Sequence, residues 1–172
     1  SNCYQKAYEM QSSNDWTQLQ NFTDTLNNYF TSIENVLDID RTLWMMAFNN
    51  LTLTLDGPIN NIPHNFYMFK DNNKRFSPII WDLNGSFGTF TNGLLQPVTN
   101  QTLQELDIFH GGTNNQNKMT TKIFSDDRYK KMYVAHMRTI LNEQFVNNNY
   151  YNRALQLQSI IDSSVSSDPN GF

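Results

Sequence analysis

A single cysteine, Cys3, stands in the 172 residues, so no intrachain disulfide can brace the fold. No apolar run approaches the roughly 18–20 residues that cross a bilayer, and no secretory leader pattern opens the chain. Charge is scarce: 16% of residues are charged, the net charge is −4 and the pI is about 5.2. Lys70, Lys74 and Arg75 are the only notable basic cluster, and they sit at or beside a turn. That excludes a dense nucleic-acid surface. The three histidines, His64, His110 and His136, are too dispersed for a zinc site. The seven glycines are scattered, with no glycine-rich phosphate loop.

Aromatic residues are plentiful, with 12 Phe, 8 Tyr and 3 Trp. A chain of this length and aromatic content can bury one real core, so residues 1–172 read as a single domain. Polarity comes from Asn, Gln, Ser and Thr. Four Asn-x-Ser/Thr sequons, at Asn21, Asn50, Asn84 and Asn100, read as incidental in that composition.

The apolar spacing predicts a helix from a cap at Asn14 or Asp15 to about Phe30, then a linking turn over Ser32–Leu37. Asp38 or Asp40 caps a second helix to about Asn50. Leu43, Ala47 and Leu51 form one stripe on it, and Trp44 and Phe48 another, so it reads as buried. Leu51–Leu55 alternates Leu with Thr, and Asp56-Gly57-Pro58 ends regular structure. After Gly88 the chain is irregular to about Asn100. Thr102–His110 reads as a helix stopped by Gly111-Gly112, and Met119–Phe124 as a helical turn. Asp126 or Asp127 caps a long helix to about Phe145, with Tyr129, Tyr133, His136, Met137, Leu141 and Phe145 on its buried side. A last helix, about Tyr150–Ser163, turns Tyr151, Leu155, Ile160 and Ile161 inward. The tail 164–172 frays. The fold class is α+β, mostly helical, with one small hairpin that the second helix supports.

That hairpin carries the most informative pattern. Asn65–Asp71 and Phe76–Asp82 read as antiparallel strands joined by Asn72–Arg75. Ile79-Ile80-Trp81 is continuously apolar and reads as buried on both faces, while Pro78 marks an edge or irregular strand. A loop centred between Asn73 and Lys74 sets Asn65 opposite Asp82, with Cα atoms about 4.5–5.5 Å apart. An amide oxygen and a carboxylate that close can hold a hard cation such as Mg²⁺. The same polar ends are also what any hairpin shows where its strands meet turns.

Phosphoryl transfer needs a carboxylate to orient the attacking hydroxyl, and ligands that hold metal on the nucleotide phosphates. Asp56 in a loop, Asn65 ending that loop, a hairpin, and then Asp82 before a glycine-bearing turn follow the order used by protein kinases. Gly85 and Gly88 would let the backbone turn beside the phosphates. Asp56-Gly57 is equally a common turn dipeptide.

His64-Asn65-Phe66-Tyr67-Met68-Phe69, Ile80-Trp81-Asp82-Leu83-Asn84 and Phe87-Gly88 resemble the spore coat protein H (CotH) kinase family. Leu37-Asp38-Ile39-Asp40 and Phe124-Ser125-Asp126-Asp127-Arg128-Tyr129 extend that resemblance, which runs from about Trp16 to Asp168. It implies an atypical protein-kinase-like fold that transfers phosphate from ATP, with Mg²⁺ or Mn²⁺, to protein Ser or Thr hydroxyls. It also implies a secreted, cell-surface or spore-coat location. On it Asp56 is the catalytic aspartate, and Asn65, Asp82 and Asn84 are metal ligands. Gly85 lies at the nucleotide, and His64, Trp81, Phe87 and Gly88 support the site. Trp81 and Phe87 read as packing residues.

Three departures bear on that expectation. Asn84 replaces a second carboxylate. The loop from Asp56 to Asn65 is longer than the protein-kinase motif, which makes Asn60 and Asn61 alternative ligands. Nothing resembles an N-terminal lobe with its glycine-rich loop and strand lysine, so the 172 residues read as the C-terminal lobe, inactive by themselves. The competing expectation is a degenerate kinase-like module that binds a partner without chemistry.

Overall fold

The computed structural model describes residues 4–12, 16–59, 63–91, 94, 98–113 and 117–169. A short helix α1, Tyr4–Ala7, precedes α2, Thr17–Asn28. The expected cap at Asn14 or Asp15 lies outside the described residues. Phe22 and Leu26, one helical turn apart, are the buried pair of α2. A 3₁₀ turn, Phe30–Asn35, then leads to Leu37, which is wholly buried.

Helix α3, Ile39–Leu51, is the central element. Asp38 caps it, accepting from the Arg41 backbone N–H at 3.1 Å. Leu43, Met46 and Ala47 are fully enclosed, while Trp44 and Phe48 are only half-buried. One side of α3 packs on α6, Asp127–Ile140, whose cap is Asp126. The other packs on the hairpin β1, Phe66–Lys70, and β2, Phe76–Ile80. His136 on α6 ties the two helices together. It stacks on Trp44 with ring centroids 4.1 Å apart and shares a 2.8 Å hydrogen bond with Asp40.

Two further helices follow the hairpin: α4, Asn100–Gln104, and α5, Lys118–Phe124. Helix α4 stops well short of the expected His110. The Asp107 carboxylate accepts from the Phe109 N–H at 2.8 Å, a local turn that competes with helix. Residues 106–113 therefore form turns, which carry Phe109 into a ring cluster with Phe124 and Tyr133. The Tyr133 hydroxyl donates to the Ile108 carbonyl at 2.6 Å, and burial pushes its pKa up.

At its C-terminal end α6 opens into a π-helical turn, Leu141–Val146, which rotates Leu141 out to solvent. The last helix, α7, Asn149–Ser166, runs on through the start of the expected frayed tail. It has no buried residue. Tyr151, Leu155, Ile160 and Ile161 are exposed, contrary to the inward face expected of them, because α7 packs mainly on the π-helical turn, with Tyr150 at its start also meeting Phe87.

The hairpin departs from expectation in register. Phe66 pairs with Ile80 and Lys70 with Phe76, so the ladder is centred on Asn73. Asp71 closes a three-residue loop: its backbone N–H donates to Arg75 O at 2.9 Å, and its carbonyl accepts from Lys74 N–H at 3.0 Å. Lys74 adopts φ +66°, the left-handed residue that a loop of this length needs. The Asp71 carboxylate also accepts from the Arg75 N–H at 3.0 Å, the main cause of its lowered pKa. The face bearing Phe76 packs on Phe22, ring centroids 5.3 Å apart, and on α3. Ile79 and Trp81 are about half exposed, so this segment is covered on one face only. Phe76 donates to Val36 O and accepts from Asp38 N–H, both away from β1. Pro78, two residues on, points its missing donor the same way, and no ladder bond is lost.

Candidate functional site

Asp56 follows the C-terminal end of α3 in a run of buried turns, Thr52 to Ile59. This is no surface Asp-Gly turn. A side chain on Gly57 would put its Cβ 2.7 Å from Asn49 Oδ1, and Asn49 is itself fixed by donating to Met45 O at 2.9 Å. The α3 ending thus delivers Asp56 to a set position, with 8% of its surface exposed.

The two carboxylate oxygens of Asp56 differ. Oδ2 accepts from Asn65 Nδ2 at 2.7 Å. Oδ1 is buried and has no hydrogen-bond partner among the described residues. Gly85 closes the cradle from below: a Cβ there would stand 2.9 Å from Oδ2 and 3.0 Å from Oδ1. A buried carboxylate oxygen without a donor costs stability, so native proteins keep one where a ligand or a reaction uses it.

The loop carrying Gly85 is tied to the α3 ending. Phe87 N–H donates to Thr52 O at 2.5 Å and Gly88 N–H to Leu53 O at 3.3 Å. Between them run buried hydroxyls: Thr52 Oγ1 lies 2.9 Å from Thr54 Oγ1, which lies 2.8 Å from Ser86 Oγ. Backbone strain gathers in the same loops. Leu53, Asn65, Asp82 and Phe87 all have φ between +49° and +57°, among six such non-glycine residues described. Strain of this kind costs about 1–3 kcal/mol per residue and persists where the surroundings hold it.

Asn65 is brought to Asp56, and not to the position facing Asp82. In the observed register its carbonyl accepts from Trp81 N–H at 3.1 Å, which leaves Asp82 one residue beyond the pair. That single-residue shift follows from the odd-numbered hairpin loop. Asn84, on the 3₁₀ turn Leu83–Gly85 that presents Gly85 to Asp56, and Asp82, just before that turn, both lie exposed. Asn60 and Asn61 fall outside the described residues. Among the described residues no three His, Cys, Asp or Glu side chains cluster as a metal site would require. The donors on hand are the free oxygen of Asp56, the Asp82 carboxylate and two amide oxygens. That is a sparse set, of the kind Mg²⁺ uses when phosphates supply most of its ligands.

His64 is exposed beside Asn65. Trp81 and Phe87 are both more than half exposed, so they are not the packing residues they were expected to be. Each meets one ring: Trp81 meets Tyr67 edge-on at 5.5 Å, and Phe87 meets Tyr150 at 5.4 Å. Gly88 has φ +72°, and a Cβ there would stand 2.7 Å from Leu103. Thr52, Thr54 and Ser86 belong to the site although motif reading passed over them. The Leu-Thr alternation of Leu51–Leu55 was the available signal, since it places both threonines on one side.

A family model described as CotH kinase protein matches residues 1–172, the whole chain. No curated protein matches it.

Proposed function

The chain belongs to the CotH kinase protein family, and from that premise we propose that it carries the catalytic aspartate of an ATP-dependent protein Ser/Thr kinase. The observation that carries the reading is the asymmetry of Asp56: one oxygen bonded to Asn65, the other buried and without a partner among the described residues. In the reaction, a substrate Ser or Thr hydroxyl donates its hydrogen bond to Oδ1. The hydroxyl oxygen attacks the γ-phosphorus of ATP, its proton passes to Asp56, and the bond to the bridging oxygen of ADP breaks. Asn65 holds the carboxylate so that only Oδ1 faces the hydroxyl. Gly85 leaves room for that orientation.

Asp82, with amide oxygens from Asn84 and Asn65, would hold Mg²⁺ or Mn²⁺, which neutralises charge on the transferring phosphoryl group when bound. A secreted, surface or spore-coat location accompanies this reading and rests on the family alone.

The test is transfer of labelled γ-phosphate by the full-length protein, compared with Asp82→Asn. The reading expects a loss of about 100-fold or more, as when one charge-stabilising group is removed. A full-length protein that transfers no γ-phosphate would instead favour a kinase-like module that binds a partner without chemistry, and an Asp82→Asn variant as active as the parent would remove Asp82 from the site.

A further inference from the structure

The geometry points to Ser86 and Thr54 as positioning residues that hold the Asp56 cradle through a one-way hydroxyl relay. The direction of that relay follows from counting protons. Thr52 Oγ1 donates to Phe48 O at 2.8 Å, a carbonyl that can only accept. A hydroxyl has one proton, so Thr52 has none left for Thr54. Thr54 must therefore donate to Thr52 at 2.9 Å, and Ser86 must donate to Thr54 at 2.8 Å. The relay runs from the Gly85–Ser86 turn to the C-terminal end of α3, where the Phe48 carbonyl accepts both the Thr52 N–H at 2.9 Å and the Thr52 hydroxyl at 2.8 Å, which fills its two lone pairs. All three hydroxyl residues are buried, at 1%, 1% and 8% exposure, so no water replaces a missing link at low cost.

The consequence reaches the carboxylate. Gly85 sits one residue before Ser86, and its backbone is the floor beneath Asp56, since a Cβ there would stand 2.9 and 3.0 Å from the two carboxylate oxygens. The strained φ values at Leu53 and Phe87 flank the relay, and the backbone bonds from Phe87 and Gly88 bracket it. Releasing the hydroxyl link frees the turn to relax toward ordinary φ, which withdraws the floor and lets Asp56 rotate away from Asn65. Reaction rates respond steeply to such shifts, by about 100-fold for 1 Å.

This inference rests on the kinase reading for its kinetic readout, and it has a second readout that does not. Thr54→Val removes the middle hydroxyl at nearly constant shape, and Thr54→Ser restores it. In the full-length protein, Thr54→Val should lower kcat by about tenfold or more with KM for ATP changed less than about twofold, and Thr54→Ser should recover most of kcat. Independently, the side-chain amide protons of Asn65, followed in ¹⁵N-Asn-labelled protein, should shift and exchange faster in Thr54→Val and return in Thr54→Ser. A wild type without phosphoryl transfer whose Asn65 amide still responds would defeat the kinase reading and leave the positioning role standing. An Asn65 amide unmoved by Thr54→Val, or a loss confined to thermal stability, would overturn the positioning role whatever the activity.

Discussion

Asp56 is fixed by one amide donor and one missing side chain, and each can be tested by a single substitution. Gly85→Ala places a methyl about 3 Å from both carboxylate oxygens, so the carboxylate must move or the turn must shift. Overpacking of this kind costs about 1–3 kcal/mol, and a lowered denaturation midpoint together with lost transfer is the expected outcome. An unchanged midpoint would mean that the cradle is looser than it looks. His110 supplies a pH signature. Burial lowers its pKa below 6.5, against an opposing pull from Asp107. The unfolded chain takes up a proton near pH 6.5 that the folded chain refuses, so stability is full above that pH. It declines as pH falls below 6.5 and levels off once the folded group also protonates. His110→Gln should flatten that acid-side slope in denaturant midpoints measured on either side of pH 6.5; an identical slope in the variant would assign it elsewhere. At this scale the sequence named Asp56, Asn65 and Gly85 through order and spacing. It could not show that Asn65 donates to Asp56, because that bond depends on how the loop between them folds back.

At the scale of elements, register was the least legible property. Asn72-Asn73-Lys74 lacks the Asn-Gly signature that would fix a turn type, and a loop read one residue too long moves every cross-strand pair. Lys74 carries the left-handed φ that glycine adopts freely. Lys74→Gly should therefore stabilise the hairpin by about 0.5–1 kcal/mol, seen as a raised urea midpoint, whereas a lowered one would contradict the turn geometry. Caps were legible where an acidic residue preceded an apolar run, as at Asp38 and Asp126. The α5 cap was hidden in a polar loop. Asn117 accepts from Thr120 N–H at 3.2 Å while its amide, with the Thr120 hydroxyl, bonds the buried Pro58 carbonyl. Asn117→Ala should cost about 2 kcal/mol or more in a thermal or chemical melt, from the lost cap plus a carbonyl left underserved. A cost of a few tenths would show that water reaches Pro58. Helix α4 was overread because Asp107 looked like one more helical residue, when its side chain closes a turn.

For the molecule as a whole, apolar periodicity located the core well. Phe22, Leu26, Leu43, Ala47, Tyr129, Tyr133 and Met137 all fall in one cluster. The same periodicity misplaced α7, whose expected inward residues Tyr151, Leu155, Ile160 and Ile161 stay in solvent. An apolar face marks what a helix can bury and says nothing of whether a neighbour is in reach. The core's role in function is indirect. It sets the end of α3 and the packed face of the hairpin, and the two loops that leave these elements meet at Asp56. The central claim is that this carboxylate takes the proton of the attacking hydroxyl. The most direct measurement is single-turnover phosphate transfer by full-length protein carrying Asp56→Asn, an isostere that can still accept from Asn65, alongside its ATP affinity. Transfer should fall by about 100- to 10,000-fold with ATP affinity changed little. Transfer within about twofold of the parent, at equal ATP affinity, would contradict that claim.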